Sequence, residues 1–225
     1  MTGAARPAAV VFDLDGTLID SLPAIRVAFD AVCDELSLPR PDRATAQGFV
    51  GGGVPLAMTR LLRWAGADGA DPDLHGRAIA AMHAAYGRVP PRANAVYPGV
   101  RETLDRLTAH GIPLGLCTNK PAAPTRTVLA ALDLDVFAAV VAGDTLATRK
   151  PDPAPLHHVL AALGAMPADA VYVGDSEIDH ATAAAAGVPF AFFEGGYLNA
   201  PLGAPAPALR LSHMGDLPDR LSAVA

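Results

Sequence analysis

Five short apolar runs in this 225-residue chain each break off at polar or glycine residues. Ala9-Val10-Val11-Phe12 stops at Asp13, and the run ending at Cys117 stops at Thr118-Asn119-Lys120. The run ending at Ala142 stops at Gly143-Asp144, and the one ending at Val173 stops at Gly174-Asp175. The run from Val188 stops at Glu194-Gly195-Gly196, and a sixth candidate covers 208–211. Runs this short and unbroken suit strands buried on both faces. Helical patterns lie between them. Val100, Leu104 and Leu107 share one face; Val128, Leu129 and Leu132 follow Pro121; Leu156, Val159, Leu160 and Leu163 follow Pro155. An alanine-rich stretch over 178–186 is stopped by Gly187. Alternation of this kind predicts an α/β fold, a parallel sheet covered on both sides.

One segment breaks the alternation. Residues 20–91 carry only helical patterns: a stripe from Leu22 through Ile25, Phe29, Val32, Cys33 and Leu36, with Asp20 or Ser21 as its cap; a second over Val54, Met58, Leu61 and Leu62; a third over Leu74, Ala78, Met82 and Tyr86. Pro39-Arg40-Pro41 and Gly51-Gly52-Gly53 separate the pieces. The expected organisation is a core of residues 1–19 and 92–225 with an all-helical subdomain, 20–91, inserted after the first strand.

Composition removes several classes of function. Hydrophobic residues make up 51% and charged residues 18%, enough for a sizeable core. The net charge is −6 and no basic patch stands out, which argues against a nucleic-acid partner. Cys33 and Cys117 are far apart and form no metal-ligand pattern, so buried reduced thiols are expected. No leader-like or membrane-spanning apolar stretch is evident, and a cytoplasmic location is expected, with no membrane partner. Oligomeric state is not legible.

Ligands of open parallel sheets bind beyond the carboxyl ends of the strands. The polar residues expected there are Asp13, Asp15, Thr118, Asn119 and Asp175, with Lys150 in a loop and Asp179 four residues past Asp175. A mixture of close carboxylates, a hydroxyl, an amide and a lysine suits phosphoryl transfer: oxygen ligands for a hard cation, donors for phosphate oxygens, and a carboxylate nucleophile. At four-residue spacing Asp175 and Asp179 would share a helix face, and a cation would relieve their repulsion.

Asp13-Leu14-Asp15-Gly16-Thr17 resembles the first motif of the haloacid-dehalogenase-like hydrolases. Thr118 matches their second motif, Lys150 the third, and Gly174-Asp175-Ser176-Glu177-Ile178-Asp179 the fourth, in order along nearly the whole chain. The resemblance implies a Rossmann-like core with a helical cap. It is closest to the phosphoglycolate phosphatases, through Asp13 to Ser21, Tyr97-Pro98-Gly99-Val100, Cys117 to Pro121, Arg149 to Pro153 and Val173-Gly174-Asp175. It implies that Asp13 is the nucleophile and that Asp15 is the acid and then the base. It further implies that Mg2+ is held by Asp13, the Asp15 carbonyl and Asp175, with Ser176 and Asp179 behind them. Thr118, Asn119 and Lys150 would bind phosphate.

The expected reaction is hydrolysis of 2-phosphoglycolate through an aspartyl-phosphate. The alternatives are another small phosphomonoester, pyrophosphate, or a silent phosphate-binding module, which the intact Asp13 and Asp15 disfavour. The related mutases carry a glutamate where this chain has Gly174 and a cap arginine where it has Gly51-Gly52-Gly53-Val54, so mutase chemistry is disfavoured. The glycine run is expected to face the active site, and Lys120, or less favourably Arg60 or Arg63, to meet a substrate carboxylate. His110, His157, His158 and His180 match no ligand spacing and are expected at the surface or at helix ends; Trp64 is expected to pack in the cap.

Overall fold

The computed structural model describes residues 6–67 and 71–223. Six strands form one parallel sheet: β1 (Ala9–Phe12), β4 (Leu114–Cys117), β5 (Ala139–Val141), β6 (Ala170–Gly174), β7 (Phe190–Phe193) and β8 (Leu209–Leu211). Their order is β5-β4-β1-β6-β7-β8, with β1 between β4 and β6. The register sets Phe12 against Leu116 on one side and Val173 on the other, so the residues following all three strands emerge at one edge.

The pleat explains the unbroken apolar runs. Val10 and Phe12 point into one core with Leu104, Leu107, Val128 and Leu129, from helices α5 (Val100–Ala109) and α6 (Ala122–Ala131). Ala9 and Val11 point into the other, with Leu156, Val159, Leu160 and Ala183 from α7 (Ala154–Leu163) and α8 (Glu177–Ala186). Successive side chains alternate between the two faces and both faces are covered. Each large apolar side chain fully buried here contributes about 1.5–3 kcal/mol.

Four helices lie between β1 and the return to the sheet: α1 (Leu22–Leu36), α2 (Arg43–Gln47), α3 (Gly53–Trp64) and α4 (Pro72–Arg88). They enclose their own core around Phe29, Val32, Met58, Leu61, Leu62 and Met82, to which Tyr197 from the loop after β7 is added. The short α2, capped by the Asp42 carboxylate on Thr45 N–H, was not among the expected pieces. Nor was an antiparallel pair, β2 (Ile19–Asp20) with β3 (Ala95–Val96), which ties together the outgoing and returning linkers. Two-residue strands carry no readable periodicity. At the start of α1, Asp20 accepts the Leu22 N–H at 3.2 Å and the Tyr197 hydroxyl accepts it at 2.9 Å, while Ser21 makes no side-chain cap. No helix among the described residues is long and apolar enough to cross a membrane.

Candidate active site

Asp13 directly follows β1, and its backbone N–H continues the ladder to Val173 O at 2.9 Å. The chain then turns sharply: Gly16 adopts φ +89°, and a Cβ there would lie 2.2 Å from Asp175 Oδ2, so only glycine lets the two strand ends approach this closely. Asp175, 1% exposed, is gripped by Thr17 Oγ1 on Oδ1 at 2.6 Å and by the Tyr197 backbone N–H on Oδ2 at 2.7 Å.

The expected helical pairing of Asp175 with Asp179 is corrected. Asp175 lies outside α8, at the end of β6, while Ser176 is the N-cap and Asp179 the third helical residue. Ser176 and Asp179 form a reciprocal capping box, in which Ser176 Oγ accepts the Asp179 N–H at 3.2 Å and Asp179 Oδ2 accepts the Ser176 N–H at 3.2 Å, with the Ser176 hydroxyl also donating to Asp179 Oδ2. Gly174 permits this turn, since a Cβ there would sit 2.4 Å from Asp179 Cβ. A glutamate at this position would have no room.

Lys150 is the hub of the buried end. Its ammonium lies 2.9 Å from Asp13 Oδ1, 2.7 Å from Asp179 Oδ1 and 2.9 Å from the Tyr172 hydroxyl. Tyr172 in turn donates to Asp179 Oδ1 at 2.7 Å. Burial opposes the Lys150 charge, but Asp13 and Asp179 outweigh it and raise its pKa. Burial likewise works against Asp179, yet Lys150, Ser176 and Tyr172 hold it below the usual carboxylate range. Asp13 is balanced differently. Lys150 is close but off the hydrogen-bonding direction, so buried Asp13 Oδ1 has no aligned donor among the described residues. Burial, with Asp179 and Asp15 adding and Lys150 opposing, pushes Asp13 up to about 7.

Thr118, which follows β4, is buried and accepts the Lys120 backbone N–H at 3.2 Å. The Asn119 amide donates to Gly51 O at 3.2 Å and Lys150 O at 3.0 Å, joining the glycine run to the Lys150 loop. Both of its side-chain donors are therefore engaged by protein carbonyls, a structural duty not foreseen for a phosphate-binding residue. Burial pushes the Cys117 thiol, at the end of β4, up to about 12 and the Cys33 thiol, in the core of the four helices, up to about 11, so neither is an activated thiolate.

The family model for haloacid dehalogenase-like hydrolases matches residues 10–193. The chain belongs to the haloacid dehalogenase-like hydrolases. It is 43% identical over 216 residues to a phosphoglycolate phosphatase of Cereibacter sphaeroides, covering 94% of this chain and 96% of the relative. It is 44% identical over 200 residues to one of Rhodospirillum rubrum, covering 87% and 83%. A crystal structure described as a predicted phosphoglycolate phosphatase from Haemophilus somnus superposes with a TM-score of 0.89 at 27% identity, covering 96% and 99% of the two chains.

In this hydrolase a cavity of about 460 Å³ opens between the sheet edge and helices α1, α3 and α4. Asp13, Asp15, Thr118, Asn119 and Lys120 line one wall. Ile25, Phe29, Val54, Ala57, Met82 and Tyr86 line the opposite one, with Gly51 and Gly53 between. Lys120 donates to Asp15 Oδ1 at 3.0 Å and to the Tyr86 hydroxyl at 2.8 Å, and Tyr86 reaches Asn94 Oδ1 at 3.3 Å. Burial disfavours the Lys120 charge, but Asp15 and Tyr86 more than offset it and its pKa is raised.

Arg60 neither lines the cavity nor stands free in solvent; it donates to Gly48 O at 3.1 Å and Val50 O at 3.3 Å and so braces the glycine run from behind. Arg63 is exposed. Trp64 packs against Phe49 but remains 42% exposed, and His180, expected near the surface, is buried with its edge on Phe190.

Family members generally use a divalent metal, and the donor set here fits one. Asp13, Asp175 and Asp179 each bring a carboxylate oxygen within 4.8 Å of the others. Burial, with Asp179 and Asp13 adding, raises Asp175 well above the usual range. Two crowded carboxylates whose charge is disfavoured, one with an unpartnered buried oxygen, are a donor set that suits a hard cation.

The residues that sequence reasoning missed are Tyr172, Tyr197 and Tyr86. Tyr172 left one signal: a hydroxyl inside an otherwise apolar central strand must find a buried partner.

Proposed function

We propose that this hydrolase cleaves 2-phosphoglycolate to glycolate and phosphate through an aspartyl-phosphate on Asp13. The observation that carries the reading is the pairing of Asp13 and Asp15 in one cavity, Asp13 backed by Lys150 and Asp15 by Lys120. The names of the relatives support the substrate.

A carboxylate oxygen of Asp13 attacks phosphorus, and the bond from phosphorus to the glycolate oxygen breaks. Asp15 delivers a proton to that oxygen. Asp15 then removes a proton from water as the water attacks the same phosphorus, which breaks the bond to Asp13 and restores its carboxylate. The Thr118 hydroxyl, the backbone around Asn119 and the Lys150 ammonium bear on the phosphoryl oxygens. Asp13, the Asp15 carbonyl and Asp175 would hold Mg2+, with Ser176 and Asp179 fixing the surrounding turn. When bound, the cation supplies positive charge against Asp13, Asp175 and the phosphate.

Residues 20–91 act as a cap that excludes water and selects the leaving group, hinged at the paired linkers β2 and β3. Two buried free thiols suit a reducing cytoplasm. One observation favours a second reading, a bulkier phosphomonoester. At roughly 30 Å³ per water the cavity would hold about fifteen waters, ample for a leaving group larger than glycolate.

The test is a comparison of kcat/KM for 2-phosphoglycolate, hexose phosphates, nucleoside monophosphates and pyrophosphate. The expected winner is 2-phosphoglycolate. A competitor ahead by tenfold, about 1.4 kcal/mol in transition-state binding, overturns the substrate and leaves the phosphatase chemistry standing.

A further inference from the structure

We propose that Lys120 reads the carboxylate of the substrate and that Tyr86, on α4, is the positioning residue that aims it. The inference rests on the phosphoglycolate reading and adds the group that would make it selective.

Charge alone narrows the choice. Among the described residues lining the cavity, Lys120 is the one lysine or arginine. His83 also lines it but is exposed, where water screens it. Lys150 sits at the phosphate end, held by Asp13, Asp179 and Tyr172 and away from the leaving-group side, while Arg60 is engaged by loop carbonyls. Apart from Tyr86, His83 and Asn94, the cavity wall opposite Asp15 is apolar, and a carboxylate placed there without a cation would be costly.

Distance selects the same residue. The leaving oxygen must touch the Asp15 carboxyl for proton transfer, and Lys120 Nζ lies 3.0 Å from that carboxyl. The carboxylate carbon of phosphoglycolate is two bonds from the leaving oxygen, so an anion at that position falls beside Lys120. An ammonium carries three donors. Lys120 Nζ contacts three oxygens, two of them on one carboxylate: Asp15 Oδ1 at 3.0 Å, Asp15 Oδ2 at 3.2 Å and the Tyr86 hydroxyl at 2.8 Å; giving up the longer contact to Asp15 Oδ2 turns one donor toward a substrate oxygen while Asp15 Oδ1 and Tyr86 stay bound. Its side chain is 5% exposed, which keeps the charge unscreened and directional.

Tyr86 holds the ammonium from the cap side at 2.8 Å and is itself tied to Asn94, which leads into β3. Lys120 therefore takes its aim only when α4 is seated on the sheet edge. A leaving group lacking the anion gains nothing from this arrangement.

The experiment compares 2-phosphoglycolate with 2-hydroxyethyl phosphate, which keeps the chain length and replaces the carboxylate with an alcohol. The quantity read is the ratio of their kcat/KM values in wild type, Lys120→Met, Lys120→Arg and Tyr86→Phe. Lys120→Met should slow both substrates by disturbing Asp15, and should lower the ratio by about tenfold or more, mainly through KM for phosphoglycolate. Lys120→Arg, which keeps the charge should the methionine variant fail to fold, should retain part of the preference. Tyr86→Phe should lower the ratio by about threefold with an unchanged melting temperature.

An equal loss on both substrates in Lys120→Met, or an unaltered ratio in both Lys120→Arg and Tyr86→Phe, overturns the assignment. Those outcomes stay distinct from failure of the substrate reading, which would show as a wild-type enzyme that does not favour 2-phosphoglycolate over the substrate panel.

Discussion

The two buried lysines belong to regions built on different plans. Lys150 takes all its partners from the sheet side: Asp13 after β1, Tyr172 in β6 and Asp179 in α8. Lys120 bridges the two sides of the cavity, with Asp15 below and Tyr86 of α4 above. The end proposed to hold phosphate is thus assembled around adjacent strand ends of one sheet. The end proposed to hold the leaving group is assembled from two groups of helices and strands meeting across a cavity. Chemistry can be held constant in the first region while selectivity is adjusted in the second.

The contrast breaks most severely at Asp13. Asp13→Asn removes the proposed attacking oxygen and cation ligand but keeps the volume and the ladder bond to Val173. Turnover should fall to background, a loss of at least about a thousandfold, with the fold retained by circular dichroism. Asp15→Asn should cripple turnover as well, through the lost proton donor. Substantial activity in Asp13→Asn would mean that the sheet edge binds phosphate and that the reaction uses another nucleophile.

Removing the metal tests the same region by a different route. A chelator should abolish activity, and calcium should inhibit because its larger, looser shell misplaces the nucleophile. Stability supplies a second readout. In the metal-free protein burial raises Asp13 from an ordinary 3.8 to about 7, so between these values the folded chain holds a proton that the unfolded chain has released. Stability must then fall as pH rises through that window. Magnesium held by Asp13, as proposed, would displace the proton and remove the penalty. The rise in melting temperature on adding magnesium should therefore be larger at pH 8 than at pH 5. A rise that is flat or shrinks with pH would place the cation away from Asp13.

How much could be read beforehand follows the same division. The six strands were legible because parallel strands covered on both faces leave continuous apolar runs, and Val10 and Val11 indeed face opposite cores. Asp13, Asp15, Thr118 and Asp175 were locatable because each lies at or just past a strand end, a position that topology brings together, whereas Lys150 lies in the long loop after β5 and was locatable through its match to the third motif. The relation of Asp175 to Asp179 was misjudged because a four-residue interval looks helical, whereas the first of the two lies in the turn before the capping box. His180, Tyr197 and Arg60 were illegible for a common reason: their partners are Pro205, Asp20 and Val50, at separations in sequence where no periodic pattern exists.

Arg60 offers the mildest test, and it bears on the cap side alone. The glycine run is held from three directions. Arg60 donates to Gly48 O and Val50 O, Asn199 donates to Val50 O at 3.1 Å, and Asn119 donates to Gly51 O. Arg60→Met keeps the aliphatic stem and removes only the guanidinium. Val50 O retains Asn199, so the loop should loosen without unfolding, at a cost of about 1 kcal/mol in local order. The loop reaches the sheet edge through Asn119, a bond that Arg60→Met leaves in place, while Gly51 and Gly53 line the cavity, so KM for 2-phosphoglycolate should rise about threefold to fivefold. Inhibition by inorganic phosphate, which needs only the sheet-edge residues, should not change. A parallel weakening of phosphate inhibition would show that the loop supports both ends of the cavity and that the division between the regions is less sharp than their hydrogen bonds imply.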